Sequence, residues 1–263
     1  PISRTSNMKY GRTVLTVVGV LAMLAIFTSQ ANAEFIPPGL RMQIHGHQSQ
    51  NGQGPPTWLD PPGQHIAEQI FQFQDRFECD QFTIDIDIEA DPDPYVNANL
   101  MITNLTGAPL DIYKLKISLP IAPVILGGSL TGGSVSVNLM DENSNGATLT
   151  NIDANTPIYM ARIDGVDYQS LMDSVSFSVA VNDTDVFGPE RFGPTPTMPS
   201  QLGPAVLNTI EIELNATLSA YDSAAIFSQF VVIQDPDIPE PATMSLLAFG
   251  GMAVLARRRR RKA

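Results

Sequence analysis

The sequence predicts an all-β fold: a single antiparallel β-sandwich, Ig-like or jelly-roll. Three observations carry that expectation. From Phe82 onward apolar residues recur with a period of two, the side-chain repeat of a strand. Segments rich in Val, Ile, Thr, Phe and Tyr follow one another, with no long stretch of helical period between them. Turn chemistry separates them, at Asp91-Pro92-Asp93-Pro94, Thr106-Gly107-Ala108-Pro109, Gly132-Gly133 and Asn145-Gly146.

Taken in order, the expected strands are 82–90, 95–104, 110–119, 134–140, 147–152, 157–164, 174–182, 207–219 and 224–234, in one domain spanning 64–235. Pro120 and Pro123 fall near strand ends, where a missing N–H is tolerated. Residues 34–63 read as a flexible lead-in, with 11 Gly or Pro in positions 37–63 and Gln-rich patches. Next, Ile66, Ile70, Phe73 and Phe77 recur at helical spacing, while Phe71-Gln72-Phe73-Gln74 alternates like a strand, so both forms stay open. The segment 183–206, with 8 Gly or Pro in 24 residues, reads as a long loop.

Charge divides the chain into three pieces. Of 263 residues, 43% are hydrophobic and 16% charged, which excludes a highly charged disordered chain and a multi-pass membrane protein. Residues 1–33 carry a charge of +3 and residues 241–263 carry +6, neither with an acid. The stretch between them holds all 27 acids and stands at −21. Phosphates would be repelled by so acidic a body, which argues against a nucleic-acid partner.

The amino-terminal piece has the parts of a signal peptide. Met8 is the expected start, with 1–7 read as untranslated upstream residues. A basic stretch (Lys9, Arg12) precedes an apolar run from Val14 to Phe27. Small residues at Ala31 and Ala33 then place signal-peptidase cleavage before Glu34, so 8–33 is the expected leader. Cys79 is the chain's single cysteine, so an internal disulfide is impossible. It reads as a half-buried small hydrophobe or as an intermolecular disulfide former.

The carboxyl-terminal piece, 236–263, has three parts. The motif Pro239-Glu240-Pro241-Ala242-Thr243 leads into an apolar stretch, 242–256, and then the cluster Arg257, Arg258, Arg259, Arg260, Arg261 and Lys262. As a helix the stretch reaches about 22 Å against a hydrocarbon core of about 30 Å, so a transient span requires snorkelling arginines or a thinned bilayer. The arginines would halt translocation and stay cytoplasmic. This tail resembles the PEP-CTERM sorting signal of Gram-negative bacteria, in the same order and at the same extreme position. The resemblance covers about 25 residues and implies recognition of Pro239-Glu240-Pro241 by an exosortase, which removes or replaces the tail. It further implies a chain held briefly by the inner membrane, then delivered to the envelope or extracellular matrix of an exopolysaccharide-producing bacterium.

Within the body, two patterns suit calcium. Strict alternation puts Asp85, Asp87 and Glu89 on one strand face about 6–7 Å apart, where repulsion would favour a divalent cation. The other reading is a solvated face that discourages edge pairing. Asp141-Glu142-Asn143-Ser144-Asn145-Gly146 fits the first half of a calcium loop through Asp141, Asn143 and Asn145, but position 12 is Ile152 and Asn145-Gly146 equally signals a hairpin. His45 and His47 lie in the lead-in, as does Trp58. Glu211 and Glu213 alternate as on a polar strand face. No nucleophile stands in a recognisable setting and no phosphate loop is present, so no catalytic residue is expected. The body then reads as a non-catalytic surface or matrix protein with no obligate cofactor. The alternatives are a secreted carbohydrate- or calcium-binding module, for which few aromatics are available, and a secreted hydrolase.

Overall fold

The computed structural model describes residues 38–45, 57–67, 69–193 and 199–236. All belong to one of the chain's two units, Pro37–Ala263. The leader with its cleavage site at Ala31, Ala33 and Glu34 lies outside the described residues, as do His47, the motif Pro239–Thr243, the apolar stretch and the cluster Arg257–Lys262.

Sixteen strands follow one another among the described residues. The first eight are β1 (Arg41–His45), β2 (Thr57–Leu59), β3 (Gly63–Ala67), β4 (Ile70–Glu78), β5 (Phe82–Asp91), β6 (Tyr95–Asn104), β7 (Leu110–Pro120) and β8 (Ser129–Met140). The rest are β9 (Ala147–Thr150), β10 (Tyr159–Ile163), β11 (Val166–Leu171), β12 (Ser176–Val179), β13 (Thr184–Phe192), β14 (Gln201–Gly203), β15 (Thr209–Leu218) and β16 (Ser223–Gln234).

They form two antiparallel sheets, as the sequence predicts. The first runs β11-β10-β15-β7-β1-β2, with β9 also against β15 and β12 beyond it. The second runs β13-β8-β16-β6-β5-β4-β3, with β14 on β8. The last two strands close the structure from within, β15 between β7 and β10 and β16 between β6 and β8. The central strands offer alternate residues to a single apolar core. Ile84, Ile86, Ile88 and Ala90 do so from β5, Leu115, Ile117 and Leu119 from β7, and Ile210, Ile212 and Leu214 from β15.

All nine expected strands are present, but three expectations are corrected. The lead-in, 34–63, is not loose throughout: β1 and β2 extend the first sheet and β3 begins at Gly63. Met42 and Ile44 of β1 are buried against the core. Of the two forms open for 66–77, β4 settles on strand, because Phe71 and Phe73, two apart, both point into the core, which no helix allows. The loop 183–206 contains β13 and β14, which pair with β8 at the sheet edge.

Alternating strand direction sorts the loops to two ends. One end carries the β5–β6 turn, loop 121–128, the Asp164-Gly165 turn and residues 204–208. The chain enters the sandwich at this end, since Arg41 pairs with Ser118, and leaves it here, since Gln234 pairs with Ser129 and the Asp235 N–H reaches the Gly128 carbonyl. At the opposite end, Asn104 is nearly fully buried and binds the carbonyls of Ala108 and Ser219, each at 2.8 Å, while accepting from the Thr106 N–H. Asp222 there accepts from the Glu142 N–H and the Ser219 hydroxyl.

Candidate functional site

The outer face of the first sheet collects charge in an unusual way. On β15 the inward residues Ile210, Ile212 and Leu214 alternate with Glu211, Glu213 and Asn215, yet these three outward polar residues are also buried, at 6%, 6% and 2% exposure. Register explains it. Glu211 lies between Ser118 of β7 and Arg162 of β10, and Glu213 lies between Lys116 and Met160. Long neighbouring side chains therefore close over the carboxylates.

The contacts follow that register. Arg162 Nη1 stands 3.1 Å from Glu213 Oε2, and Arg162 Nη2 stands 2.6 Å from Asp167 Oδ1 on β11. Lys116 Nζ is 3.6 Å from Glu211 Oε2, and the Ser118 hydroxyl donates to Glu211 Oε1 at 3.1 Å. Asn215 donates to Glu213 Oε1 at 3.4 Å and accepts the Lys114 N–H at 2.8 Å. Beside this network opens a polar cleft of about 180 Å³, lined among others by Tyr113, Lys114, Asn155, Thr156, Arg162 and Glu213. The Lys114 ammonium lies 5.1 Å from the Tyr113 ring centre.

The same cross-strand row continues to the sheet edge. Glu213 faces Lys116, Lys116 faces Gln43 of β1, and Gln43 faces Trp58 of β2, whose side chain is largely exposed. A ring platform thus stands about 14 Å from the ion-paired carboxylate, three strand spacings across one face. Trp58 was expected in the lead-in, and the sequence reading of Glu211 and Glu213 as an ordinary polar face missed their burial. The covering cations lie about 50 and 100 residues away in sequence, where no local pattern links them.

The residues proposed from sequence for calcium are placed differently. Asp85 pairs with Arg76 of β4 at 3.1 Å, and Asp87 accepts from Gln72 at 2.9 Å and Gln74 at 3.2 Å. Glu89 faces Gln72 across the ladder and Asn97 on its other side. The row is a strand face matched by donors from the neighbouring strands. Asp141 turns its oxygens inward upon the chain. Its carboxylate accepts the N–H groups of Asn143, Asn145 and Asn182, the last at 2.6 Å. Burial works to raise the Asp141 carboxyl, but these N–H groups with that of Gly146 outweigh it and hold the group below the ordinary aspartate range. Asn143 accepts the Asn145 N–H and donates to the Ala220 carbonyl. Asn145 and Gly146 do not make a hairpin either, because β8 and β9 belong to different sheets, and the turn, with Ser144 and Gly146 at positive φ, carries the chain between them. Among the described residues no group of three or more His, Cys, Asp or Glu side chains is arranged to hold a metal ion. Cys79 is half-buried against the core with its thiol 3.5 Å from the Phe82 carbonyl.

Past Asp235 the sequence runs on into a proline-marked apolar and basic segment. The particular segment is identified by comparison: residues 237–261 match the family model of the PEP-CTERM protein-sorting motif. The chain carries that signal, which marks an exported protein targeted by an exosortase and associated transiently with the membrane. No curated protein matches the chain. A solved structure of the infectious bursal disease virus Gx strain is similar at a TM-score of 0.27 and 11% identity, over 78% of this chain and 55% of that one. The chain thus spans about half of that chain's length, and the likeness bears on neither fold nor function. Among the described residues no helix is long and apolar enough to cross a membrane.

Proposed function

We propose that this chain is an exported, exosortase-processed, non-catalytic protein of the cell surface or extracellular matrix of an exopolysaccharide-producing Gram-negative bacterium. The observation that carries the reading is the PEP-CTERM motif at 237–261, behind a leader pattern at 8–33. The non-catalytic part is supported by how the carboxylates are used. Glu213 and Asp167 share one guanidinium, Glu211 is ion-paired with Lys116, and Asp141 and Asp164 hold turns. Signal peptidase and the exosortase are the processing partners in this account. In the native host, removing the exosortase should make a tail-bearing species accumulate in the membrane fraction. Unchanged processing without the enzyme would overturn the reading.

A second reading has an observation of its own: the cleft beside Glu213 and exposed Trp58 lie in line on one sheet face. An aromatic platform in line with amide, guanidinium and carboxylate groups suits a polyhydroxylated chain, such as the host's exopolysaccharide. Co-sedimentation with that polysaccharide tests it. Trp58→Ala should weaken binding several-fold without lowering the melting temperature, and equal binding by the variant would remove the reading.

A further inference from the structure

We infer that the end of the sandwich through which the chain enters and leaves rests on the lipid surface while the tail is attached, with its apolar loop tips in contact with the bilayer. The inference builds on the sorting reading and adds an orientation and a contact surface. Three independent features converge on this end.

The first is where the described chain stops. The Asp235 N–H is bonded to the Gly128 carbonyl, so the chain leaves the body beside loop 121–128. Only six residues lie between Asp235 and Ala242, where the apolar stretch begins, and the seven residue steps span at most about 25 Å when extended. When the stretch is held in the bilayer, this end is therefore held close to it, while the opposite end, ten strand residues away along β6, stands about 33 Å further off. The amino-terminal side agrees, since β1 enters here through Pro38 and Leu40.

The second is what the loops display. Val124, Leu126, Val166, Leu202 and Leu207 are between 45% and 74% exposed and belong to neighbouring segments of this end. The Ile125 and Val206 backbones exchange hydrogen bonds at 2.8 and 2.9 Å, so the buried pair fixes the loops that carry exposed Val124, Leu126 and Leu207. Asp164 ties in the turn before Val166 by accepting the N–H groups of Leu207, Asn208 and Thr209. Exposed aliphatic side chains on loops pinned in this way meet an apolar phase without a change of fold.

The third is charge. Loops 121–128 and 204–208 contain no charged residue, and the acids of this end, Asp91, Asp93, Asp164 and Asp235, lie beside them on the β5–β6 turn, the Asp164-Gly165 turn and the exit segment. The tips carrying Val124, Leu126 and Leu207 are therefore apolar and uncharged, with the acids beside them suited to the headgroup water. The acids oppose attraction to anionic lipid, and Arg41 at this end is paired with Asp60, so the contact is weak alone and tail removal frees the body.

The test uses the full chain with Cys79→Ser, carrying a single environment-sensitive label at Leu126→Cys, Leu202→Cys or, at the opposite end, Val181→Cys. The chain is reconstituted into phosphatidylcholine–phosphatidylethanolamine vesicles containing a nitroxide-labelled lipid. Thermal melts first confirm that each variant is folded. The label at positions 126 and 202 should be quenched several-fold more than that at 181. A chain that floats with the vesicles yet shows equal quenching at both ends overturns this inference and leaves the sorting reading standing. A chain that does not float overturns the anchoring reading and this one with it. Shielding of positions 126 and 202 without lipid assigns the patch to a second copy of the chain and likewise overturns the lipid contact.

Discussion

Tyr159 of β10 donates its hydroxyl hydrogen to the Gln229 carbonyl of β16 at 2.9 Å, joining the two sheets by a hydrogen bond through the core. The residue is fully buried, and burial pushes its phenol far above the ordinary tyrosine range, so it donates at every pH the protein meets. Its ring lies near Phe192, which packs in turn on Phe230 and Tyr168. Tyr159→Phe keeps the ring and deletes the bond. It should cost about 1 kcal/mol, read as a lower urea midpoint with an unchanged slope.

Gly133 sits directly beneath that aromatic group. A Cβ there would stand 2.3 Å from Phe192 Cε1 and 3.0 Å from the Gln229 carbonyl oxygen. Phe192 is also its cross-strand partner, so the ring cannot simply swing away without losing its seat. Gly133→Ala should destabilise the body by about 1–3 kcal/mol, whereas Gly165→Ala, in open space but at positive φ, should cost about 1 kcal/mol. Chemical denaturation of the two variants side by side checks the order.

The Arg162 network gives a test of its charges. Arg162→Met strands the Glu213 carboxylate, whose side chain is only 8% exposed, and should cost about 2–3 kcal/mol, short of the fully buried case because the guanidinium is partly solvated. Adding Glu213→Met removes the stranded charge and should restore most of the loss. A double variant no more stable than Arg162→Met contradicts the pairing.

Acid should unfold the protein through its turn-holding aspartates. Burial tends to raise the Asp164 carboxyl, but the N–H groups of Thr209, Leu207 and Asn208 prevail and hold it below its ordinary value, as others do for Asp141. Asp153 is lowered chiefly by the Asn155 N–H. A depressed folded pKa contributes stability that is present above the unfolded value, about 3.9, and lost as pH falls through the folded one. The melting temperature should therefore fall below about pH 4. The gap between wild type and Asp164→Asn should be widest near neutrality and should close in acid.

Calcium should leave the fold unmoved. Asp141 already spends its oxygens on backbone N–H groups, and Asp85 and Asp87 face Arg76, Gln72 and Gln74. A thermal melt with about 5 mM calcium, above the range of extracellular modules, should superimpose on one with chelator. A rise of several degrees would restore the metal reading of these residues.

The central strands were legible because each offers a long alternating run to one buried face, as Ile84-Asp85-Ile86-Asp87-Ile88 does. The edges were not. β1 has five residues, and β13 contains Gly188 and Pro189, residues that an edge tolerates and a sequence reader takes for loop. Across β3 and β4, Ile66, Ile70, Phe73 and Phe77 imitate a helix, but Ile66 lies on β3, before the turn into β4, and Phe71 with Phe73 reaches the core. The cleft was hidden for a different reason. Glu211 and Glu213 look like any solvated pair until Lys116 and Arg162 arrive from neighbouring strands, and only the sheet order brings them there.

The sorting signal is the reverse case, read from contiguous residues and independent of the fold. Its consequence is covalent, so the most direct measurement is the intact mass of the mature protein from its native host. The account predicts a polypeptide beginning at Glu34 and ending near Pro241, with or without a group attached there. A mature species that retains Arg257–Arg261 would contradict it.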